Sequence, residues 1–463
     1  MQSFGLEHSS GADDALKRLL DEMAAWLDES YDRHKDIPWK GNHDEGTFVT
    51  AFREYYLHRN DPKVLSFAQN LLNKADVWME DHFRDGYHKR QEVHHGTEHF
   101  TIFLPWVLEI DPENEIARRQ LRDAANNILD EKKRWYFPGE RRFSSTHLGT
   151  SKPLFPSLAR YFKKKFLRIN IVEHLRMVRL AWLGLASGAG NELENVIRDY
   201  SKEWISQILQ SDEMPVYLDD EEMNRKLFTI ALMTFIGAAP KEMTPSTRSE
   251  IHIANGTPDL FIDLYKITKD QSYLDAVGRI LAPVLPQLDS PYAHPLGDLA
   301  WRLHRVEPLK TLEDQINSLE AKFPVDPEIL GDVELEFDVS VDWKSTKFHN
   351  TIGIRNDMAG IVLHSTHAGE EVSLPSPSTL GLLYRFTRDE VYLQLGLELA
   401  RAVFLQAREM YRDGRMHGCS SRFVHSICVG HGRNWGAGYT STILRAALGP
   451  DSFGITLPDI DVS

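Results

Sequence analysis

The stretch YLHRNDPKVL at residues 56–65 contains a phrase that returns as YKITKDQSYL at 265–274 and as YRFTRDEVYL at 384–393. Each copy reads Tyr-x4-Asp-x3-Leu, the order of groups expected where one helix ends and the next begins. The tyrosine closes the first helix against its neighbour, the aspartate accepts backbone N–H groups at the start of the second, and the leucine makes the first core contact. The three copies therefore predict a fold built from repeated helical hairpins.

The segments on either side of these turns are of two kinds. Long charged stretches such as 64–83 and 192–209 have the one-sided apolar pattern of helices with a solvent face. Their partners open with polar residues and are apolar on most sides, as buried helices are. These buried-type segments lie at 44–57, 94–108, 172–185, 252–265, 295–304, 379–386 and 435–447.

The copies of the turn phrase are unevenly spaced, whereas an open superhelical array would keep a fixed period. A closed ring of about six hairpins fits better, because each inner helix then buries its apolar sides against two neighbours and the axis. We therefore expect an all-α fold, an (α/α)6-type toroid, that forms a single domain over residues 1–463.

One interval breaks the helical pattern. Residues 332–343 alternate, with Val333, Leu335 and Phe337 on one face, and residues 351–364 are also compatible with strands. We expect a small β insertion near 333–366, within a flap at about 330–370 that covers one mouth of the ring.

Composition limits the partners of the chain. The 463 residues carry a formal net charge of -15, which opposes generic binding to phosphate backbones or anionic lipid. No apolar run approaches the roughly 20 residues needed to cross a bilayer. Cys419 and Cys428 cannot form a disulfide framework, and residues 1–11 lack the pattern of a secretory signal. We expect a cytoplasmic protein with no nucleic-acid or membrane partner, and a homo-oligomer is left open.

Unusual polar clusters fall at the beginnings of the buried-type segments. In a ring these beginnings share one rim, where helix N-termini favour negative charge and aromatic walls suit sugars. The candidate residues at this rim are His43, Asp44, Glu45, His94, His95, Glu98, His99, His252, Asn255, Asp298, Arg433, Trp435 and Tyr439.

The segment 94–99 has the densest of these clusters. His95, Glu98 and His99 share one helix face at positions i, i+3 and i+4. The zincin spacing His-Glu-x-x-His is absent, so we interpret the segment as a hydrogen-bonded cluster and predict no metal and no cofactor. Ordinary capping and packing is the alternative.

Carboxylates for acid/base chemistry are available at three of the starts. Asp44 and Glu45 come first, although Asp44 is also a good helix N-cap, and Glu98 and Asp298 come next. His349 is a further candidate ligand in the strand-compatible region, where a solvent-facing loop is the alternative.

The hairpin phrases, the His-rich and Glu-rich helix starts and the Trp content together resemble the α/α-toroid carbohydrate-active enzymes. This group includes glucuronyl hydrolases and glucuronidases, toroid polysaccharide lyases and epimerase-like proteins. The stretch from His294 to Trp301 also resembles the epimerase-like His-Pro-Gly-His-x-x-Glu-x-x-Trp pattern, without its second histidine and with its acid displaced.

The resemblance implies two chemistries. A toroid hydrolase would use two rim acids, for which Asp44 or Glu45 and Glu98 are the nearest candidates. A toroid lyase would use a Tyr or His base, with Asn, His or Arg neutralising a uronate. The residue types that suit the lyase are His95, His252, Asn255, Arg433 and Tyr439.

The preferred hypothesis is a glycoside hydrolase that cleaves a glycosidic bond in a uronic-acid-containing oligosaccharide by acid/base catalysis. The first alternative is a lyase acting by β-elimination, and the second is a non-catalytic helical scaffold that binds a protein partner. The predicted catalytic residues are Asp44, Glu45, His95, Glu98 and His252. The predicted substrate-binding residues are His43, His94, His99, Asn255, Asp298, His349, Arg433, Trp435 and Tyr439.

Overall fold

A computed structural model gives the fold of the chain. The residues that it describes are 2–5, 11–39, 44–82, 97–129, 136–137, 142–143, 170, 172–216, 218, 245–289, 296–322, 334–338, 362–367, 370–373, 376–410 and 437–460. Among these residues, no helix combines the length and the apolar character needed to span a bilayer.

Helices form most of the described chain, which confirms the helical class that the sequence predicts. The α-helices are α1 Ala12–His34, α2 Asp44–Thr50, α3 Arg53–Arg59, α4 Pro62–His82, α5 Leu104–Ile110, α6 Glu115–Asn126, α7 Leu175–Ala186, α8 Leu193–Gln210, α9 Pro245–Ala254, α10 Thr257–Thr268, α11 Ser272–Leu281, α12 Leu296–Val306, α13 Lys310–Lys322, α14 Pro377–Thr387, α15 Glu390–Met410 and α16 Ala437–Leu448. A π-helical segment, His99–Phe103, leads directly into α5, and short 3-10 turns lie at Val172–His174 and Leu285–Asp289.

The three copies of the turn phrase adopt the same conformation. In each, the residue before the aspartate has a left-handed backbone, with φ of 51° at Asn60, 57° at Lys269 and 63° at Arg388. Its N–H donates to the carbonyl of the phrase tyrosine, at 2.7 Å in the first copy and 2.8 Å in the others. This is the left-handed C-cap that ends a helix and satisfies a terminal carbonyl.

The aspartate of each phrase then caps the following helix. One carboxylate oxygen accepts the backbone N–H two residues further on, at 2.9 Å for Asp61, 3.1 Å for Asp270 and 3.0 Å for Asp389. The predicted leucine core contact is confirmed in the second and third copies, where the leucine is buried. In the first copy the buried residue is Val64, and Leu65 is half-buried.

One predicted helix start is wrong. The sequence pattern places a single buried helix at 252–265, but the structure ends α9 at Ala254 and begins α10 at Thr257. Gly256 has a φ of 72°, and Pro258 lies in the first turn of α10. Glycine in this conformation and proline in a first turn are signals of a helix boundary. His252 therefore lies in the last turn of α9, and not at a helix N-terminus.

The β structure is small. An antiparallel sheet has the order β1-β4-β5-β6, where β1 is Gln2–Gly5, β4 is Glu334–Asp338, β5 is Val362–His367 and β6 is Glu370–Ser373. A separate pair joins β2, Tyr136–Phe137, to β3, Arg142–Phe143. Strand β4 and the start of β5 lie in the interval where alternation predicts strands, whereas the pairing of β1 with β4 is not visible in the sequence pattern.

The buried helices pack against one another in a regular order. The contacts run from α16 to α3, from α2 to the π-helical segment, then to α7, α9, α10, α12, α14 and back to α16, with the turn at 172–174 between α7 and α9. The amphipathic helices pack against them and against one another, as α1 does on α4 and α15, and α8 on α7 and α11.

The C-terminal segment 450–458 is bonded to five of these buried helices. Arg385 of α14 and Arg53 of α3 donate to the carbonyls of Ser452 and Phe453, at 2.7 and 3.4 Å. The Leu457 N–H donates to Asp263 of α10 at 3.3 Å. The indole N–H groups of Trp301 on α12 and Trp182 on α7 donate to the carbonyls of Pro450 and Pro458.

Candidate functional site

One predicted acid, Glu45, lies beside a tryptophan that also packs on a predicted histidine, His99. We call these residues, together with Glu98, which precedes His99 in the chain, the Trp39 cluster: Trp39, Glu45, Glu98 and His99. Trp39 follows α1, Glu45 lies in the first turn of α2, and the other two lie at the start of the helix described from residue 97. The Trp39 Nε1–H donates to Glu45 Oε2 at 3.1 Å. The rings of Trp39 and His99 lie 5.5 Å apart between centroids, tilted by 33°.

The cluster is nearly enclosed. Trp39 and Glu45 are each 8% exposed and His99 is 5% exposed, whereas Glu98 is 0% exposed. Three of the four side chains therefore keep a small accessible surface, and the fourth is fully covered.

Gly46 lets the two helices of the cluster approach one another. A Cβ atom at this position would lie 2.9 Å from the Cβ of Phe103. Real Cβ atoms do not come so close, so a larger residue at Gly46 would push α2 away from the π-helical segment. The glycine thus keeps Glu45 within reach of Trp39 and next to the helix that carries Glu98.

The π-helical turn has a local cause. Pro105 lies in the continuous helix 97–110, and proline lacks the N–H that would bond to the preceding turn. The chain widens instead, and the Leu104 N–H donates to the carbonyl of His99, five residues back. Such π-turns are frequent at functional sites, and here the turn begins at the site histidine.

Aromatic rings surround His99 on the apolar side of the cluster. The rings of Phe100 and Phe103 lie 5.2 and 5.3 Å from the imidazole. Trp78 meets Trp39 edge-on at 5.1 Å. On the polar side, His99 Nε2 lies 2.9 Å from Gln120 Oε1. Burial lowers the pKa of His99 from its ordinary value of 6.5 to about 4, an effect that the bond to Gln120 only partly offsets.

His252 and Asn255 lie at the end of α9, on the far side of α7 from the π-helical segment in the order of packing. The His252 Nε2–H donates to the carbonyl of Pro215 at 2.7 Å, and among the described residues Nδ1 has no hydrogen-bond partner. Burial lowers the pKa of His252 to about 4. Asn255 accepts a hydrogen bond from Arg176 of α7 at 3.0 Å, so α7 links this group to the helix next to the Trp39 cluster.

Asp298 belongs to a different group. Its two carboxylate oxygens pair with Arg385 at 2.7 Å and with Arg445 at 3.1 Å. Burial by itself would raise the pKa of Asp298, but Arg445 and Arg385 hold it below its ordinary value. Both carboxylate oxygens of Asp298 are thus paired within this group, and its predicted substrate contact stays a prediction.

Several predicted residues cannot be placed by their side chains. Asp44 begins α2 and Tyr439 lies in α16, but only their backbones are described. The remaining predicted site residues lie outside the described part of the chain, and these are His43, His94, His95, His349, Arg433 and Trp435.

Sequence reasoning missed two members of the site environment. Trp39 follows α1 and precedes by three positions the polar run that begins at Asn42 in the sequence. An aromatic residue so close to a polar run is a signal by which the sequence could have indicated Trp39. Gln120 lies on the amphipathic helix α6, where no feature of the sequence distinguishes it from other polar positions.

Comparison with known proteins found no match: no protein family, curated protein or solved structure matches the chain.

Proposed function

We propose that the protein is a glycoside hydrolase of the α/α-toroid type that cleaves a small, uronic-acid-containing oligosaccharide. The observation that carries the proposal is the Trp39 cluster, in which two enclosed carboxyl groups lie on adjoining helices and one of them, Glu45, accepts a hydrogen bond from an indole ring. Glycoside hydrolysis uses a pair of carboxyl groups that flank the bond. Tryptophan supplies the flat apolar surface and the N–H donor that suit a sugar ring.

The different environments of the two acids suggest their roles. Glu45 keeps some exposure and accepts a hydrogen bond from Trp39, so its carboxylate is held in place where it can meet a water or a sugar. Glu98 is fully covered, the kind of environment in which a glycoside hydrolase places its general acid. Glu98 is then the acid that protonates the leaving oxygen, and Glu45 is the group that activates water or attacks the sugar.

The toroid is supported by the order of helix packing. The contacts of the buried helices return to their starting point, because α16 at the end of the chain packs on α3 near its beginning. The segment 450–458 reaches five of these helices within nine residues. A short segment can do so where it crosses the end of a ring.

The uronate part of the proposal depends mainly on Arg433. Histidines at the predicted rim would also favour an anionic sugar if their rings were protonated. His99 and His252 are neutral at neutral pH because burial lowers the pKa of each to about 4. They therefore add no positive charge, and the preference for a uronate rests on the arginine and on the histidines outside the described residues.

β-Elimination is the alternative that one observation favours. His252 Nδ1 is buried, carries a lone pair and has no hydrogen-bond partner within the described part of the chain, so it could accept a proton from a substrate carbon. The pKa of about 4 makes it a weak base, which is why hydrolysis is preferred.

Product analysis on a panel of neutral and uronate oligosaccharides tests the proposal. New reducing ends without the ultraviolet absorbance of an unsaturated uronate support hydrolysis, and new reducing ends with that absorbance indicate the lyase. Glu45→Gln and Glu98→Gln should each lower turnover by about 100-fold or more, whereas Glu320→Gln, at an exposed position of α13, should leave it unchanged. An absence of cleavage across the panel would contradict both enzymes and favour the non-catalytic scaffold.

A further inference from the structure

A chain of four polar side chains leads from the surface to the Trp39 cluster. The exposed Arg119 donates to both oxygens of Asp76, each at 2.6 Å. The side-chain amide of Gln120 donates through Nε2 to Asp76 Oδ1 at 3.2 Å. The amide oxygen of the same Gln120 lies 2.9 Å from His99 Nε2. Both Gln120 and His99 are buried.

The order of donors along this chain decides the protonation of the imidazole. An aspartate carboxylate only accepts hydrogen bonds, and Asp76 accepts them from Arg119 and Gln120. Gln120 must therefore turn its NH₂ group towards Asp76 and its carbonyl oxygen towards His99. A carbonyl oxygen also only accepts, so the proton between the two residues belongs to His99 Nε2.

We infer that Gln120 is a positioning residue that fixes His99 as the neutral Nε2–H tautomer and so presents Nδ1 as a hydrogen-bond acceptor to the substrate. A neutral imidazole carries one ring proton, and Gln120 holds it on Nε2. No hydrogen bond to Nδ1 is formed by the described residues. His99 is 5% exposed, and we place Nδ1 at this exposed surface.

The consequence concerns substrate recognition, and it deepens the function proposed above, on which it rests. An acceptor at Nδ1 binds a hydroxyl or amide N–H group, and it repels a carboxylate. Among the described residues, the ionisable groups around His99 are Glu98, its neighbour in the chain, Glu45, which reaches it through Trp39, and Asp76 with Arg119, which reach it through Gln120. The other rings packed on it, Phe100 and Phe103, carry no charge. This part of the site therefore recognises a sugar hydroxyl, and a uronate carboxylate has to be bound elsewhere.

Nitrogen NMR of the full-length protein with ¹⁵N-labelled histidine tests the tautomer without any substrate. At neutral pH the His99 signals should be those of a neutral ring protonated at Nε2. Gln120→Leu removes the acceptor and should lower the ratio of the Nε2–H to the Nδ1–H tautomer by about tenfold. Gln120→Glu keeps an acceptor, so the tautomer should persist while the pKa of His99 rises by about one unit or more.

Two internal controls accompany these variants. The tautomer of His252 is fixed by Pro215 and should not change in either Gln120 variant. Gln210→Glu, at an exposed position at the end of α8, introduces the same charge change away from the site and should leave His99 unaffected. Circular dichroism identifies a variant that fails to fold, and Gln120→Glu then carries the test if Gln120→Leu does not fold.

The outcomes separate this inference from the proposed function. A protonated His99 ring at neutral pH, or an Nδ1–H tautomer in the wild type, overturns the inference whatever the activity. If the tautomer is as expected and a cleaved oligosaccharide is known, analogues that each lack one hydroxyl group should include one that binds at least about tenfold more weakly to the wild type. That analogue should lose this disadvantage in the Gln120→Leu variant. Equal binding of all deoxy analogues would overturn the substrate contact alone.

Discussion

Glu54 and Arg445 form a buried ion pair at 2.6 Å although 391 residues separate them in the chain. Glu54 lies on α3 near the beginning of the described helices, and Arg445 lies on the last helix, α16. Arg445 also pairs with Asp298 of α12, and Glu54 with Arg53. This group of buried charges therefore connects α3 and α16, which are far apart in the chain, with α12.

Removing one partner of this pair should be costly. Arg445→Met leaves Glu54 and Asp298 buried with fewer positive partners, and we expect a loss of about 3–5 kcal/mol in the free energy of unfolding. Urea denaturation measures it. The matched control is Arg59→Met, which removes an exposed pair with Asp21 and should cost about 1 kcal/mol or less. Equal losses in the two variants would show that the buried group does not hold the ends together.

The close approach of α12 and α14 depends on Gly297. A methyl group at this position would collide with the backbone carbonyl of Ser378, which cannot move aside as a flexible side chain could. Gly297→Ala should therefore destabilise the protein by about 1–3 kcal/mol. Gly278→Ala is the control, because it lies inside α11 with open space around it and should stabilise by about 0.5–1 kcal/mol. Thermal unfolding that gave both variants the same sign would contradict the described packing.

The aspartate of the repeated turn phrase should behave as a helix cap. Asp389 is exposed and its carboxylate accepts the Val391 N–H at 3.0 Å. Asp389→Ala should lower the free energy of unfolding by about 1 kcal/mol. Asp389→Asn, which keeps an oxygen acceptor, should lower it by only about 0.3 kcal/mol. Chemical denaturation distinguishes the two, and an Asn variant as unstable as the Ala variant would assign the effect to charge and not to capping.

The buried histidines should make stability fall in mild acid. The pKa of His252 is about 4 in the folded protein against 6.5 ordinarily, so between these values the unfolded chain binds a proton that the folded chain does not. Its contribution is complete above about pH 6.5 and declines as the pH falls towards about 4, by an amount on the order of 1–3 kcal/mol.

A variant isolates this effect from the carboxyl groups that titrate in the same range. His252→Gln keeps an N–H donor near the Pro215 carbonyl and removes the titrating ring. The difference in unfolding free energy between wild type and variant should therefore shrink as the pH falls through this window. A difference that stays constant from neutral pH to about pH 4.5 would contradict a neutral buried His252.

The sequence predicted those features that depend on local chemistry. The turn phrase contains its own cap and its own helix ending, so its structure at Asn60, Lys269 and Arg388 follows from nearby residues. The features that it missed depend on contacts between distant segments. Nothing near Asp298 indicates that Arg385 and Arg445 occupy both of its oxygens.

The site shows the same division. Glu45, Glu98 and His99 could be chosen because acids and histidines at helix starts are unusual, whereas Gln120 acquires its role only when α6 packs beside His99. The misplaced helix start at His252 had a local signal in Gly256 and Pro258, which the apolar pattern of the surrounding residues outweighed.

A crystal structure of the Glu98→Gln protein, grown with an oligosaccharide that the wild type cleaves, tests the central claim most directly. The account predicts a sugar ring against Trp39, with a sugar oxygen within hydrogen-bonding distance of Glu45 and the substituted side chain at the glycosidic oxygen. An oligosaccharide bound away from Trp39, Glu45 and His99 would contradict it.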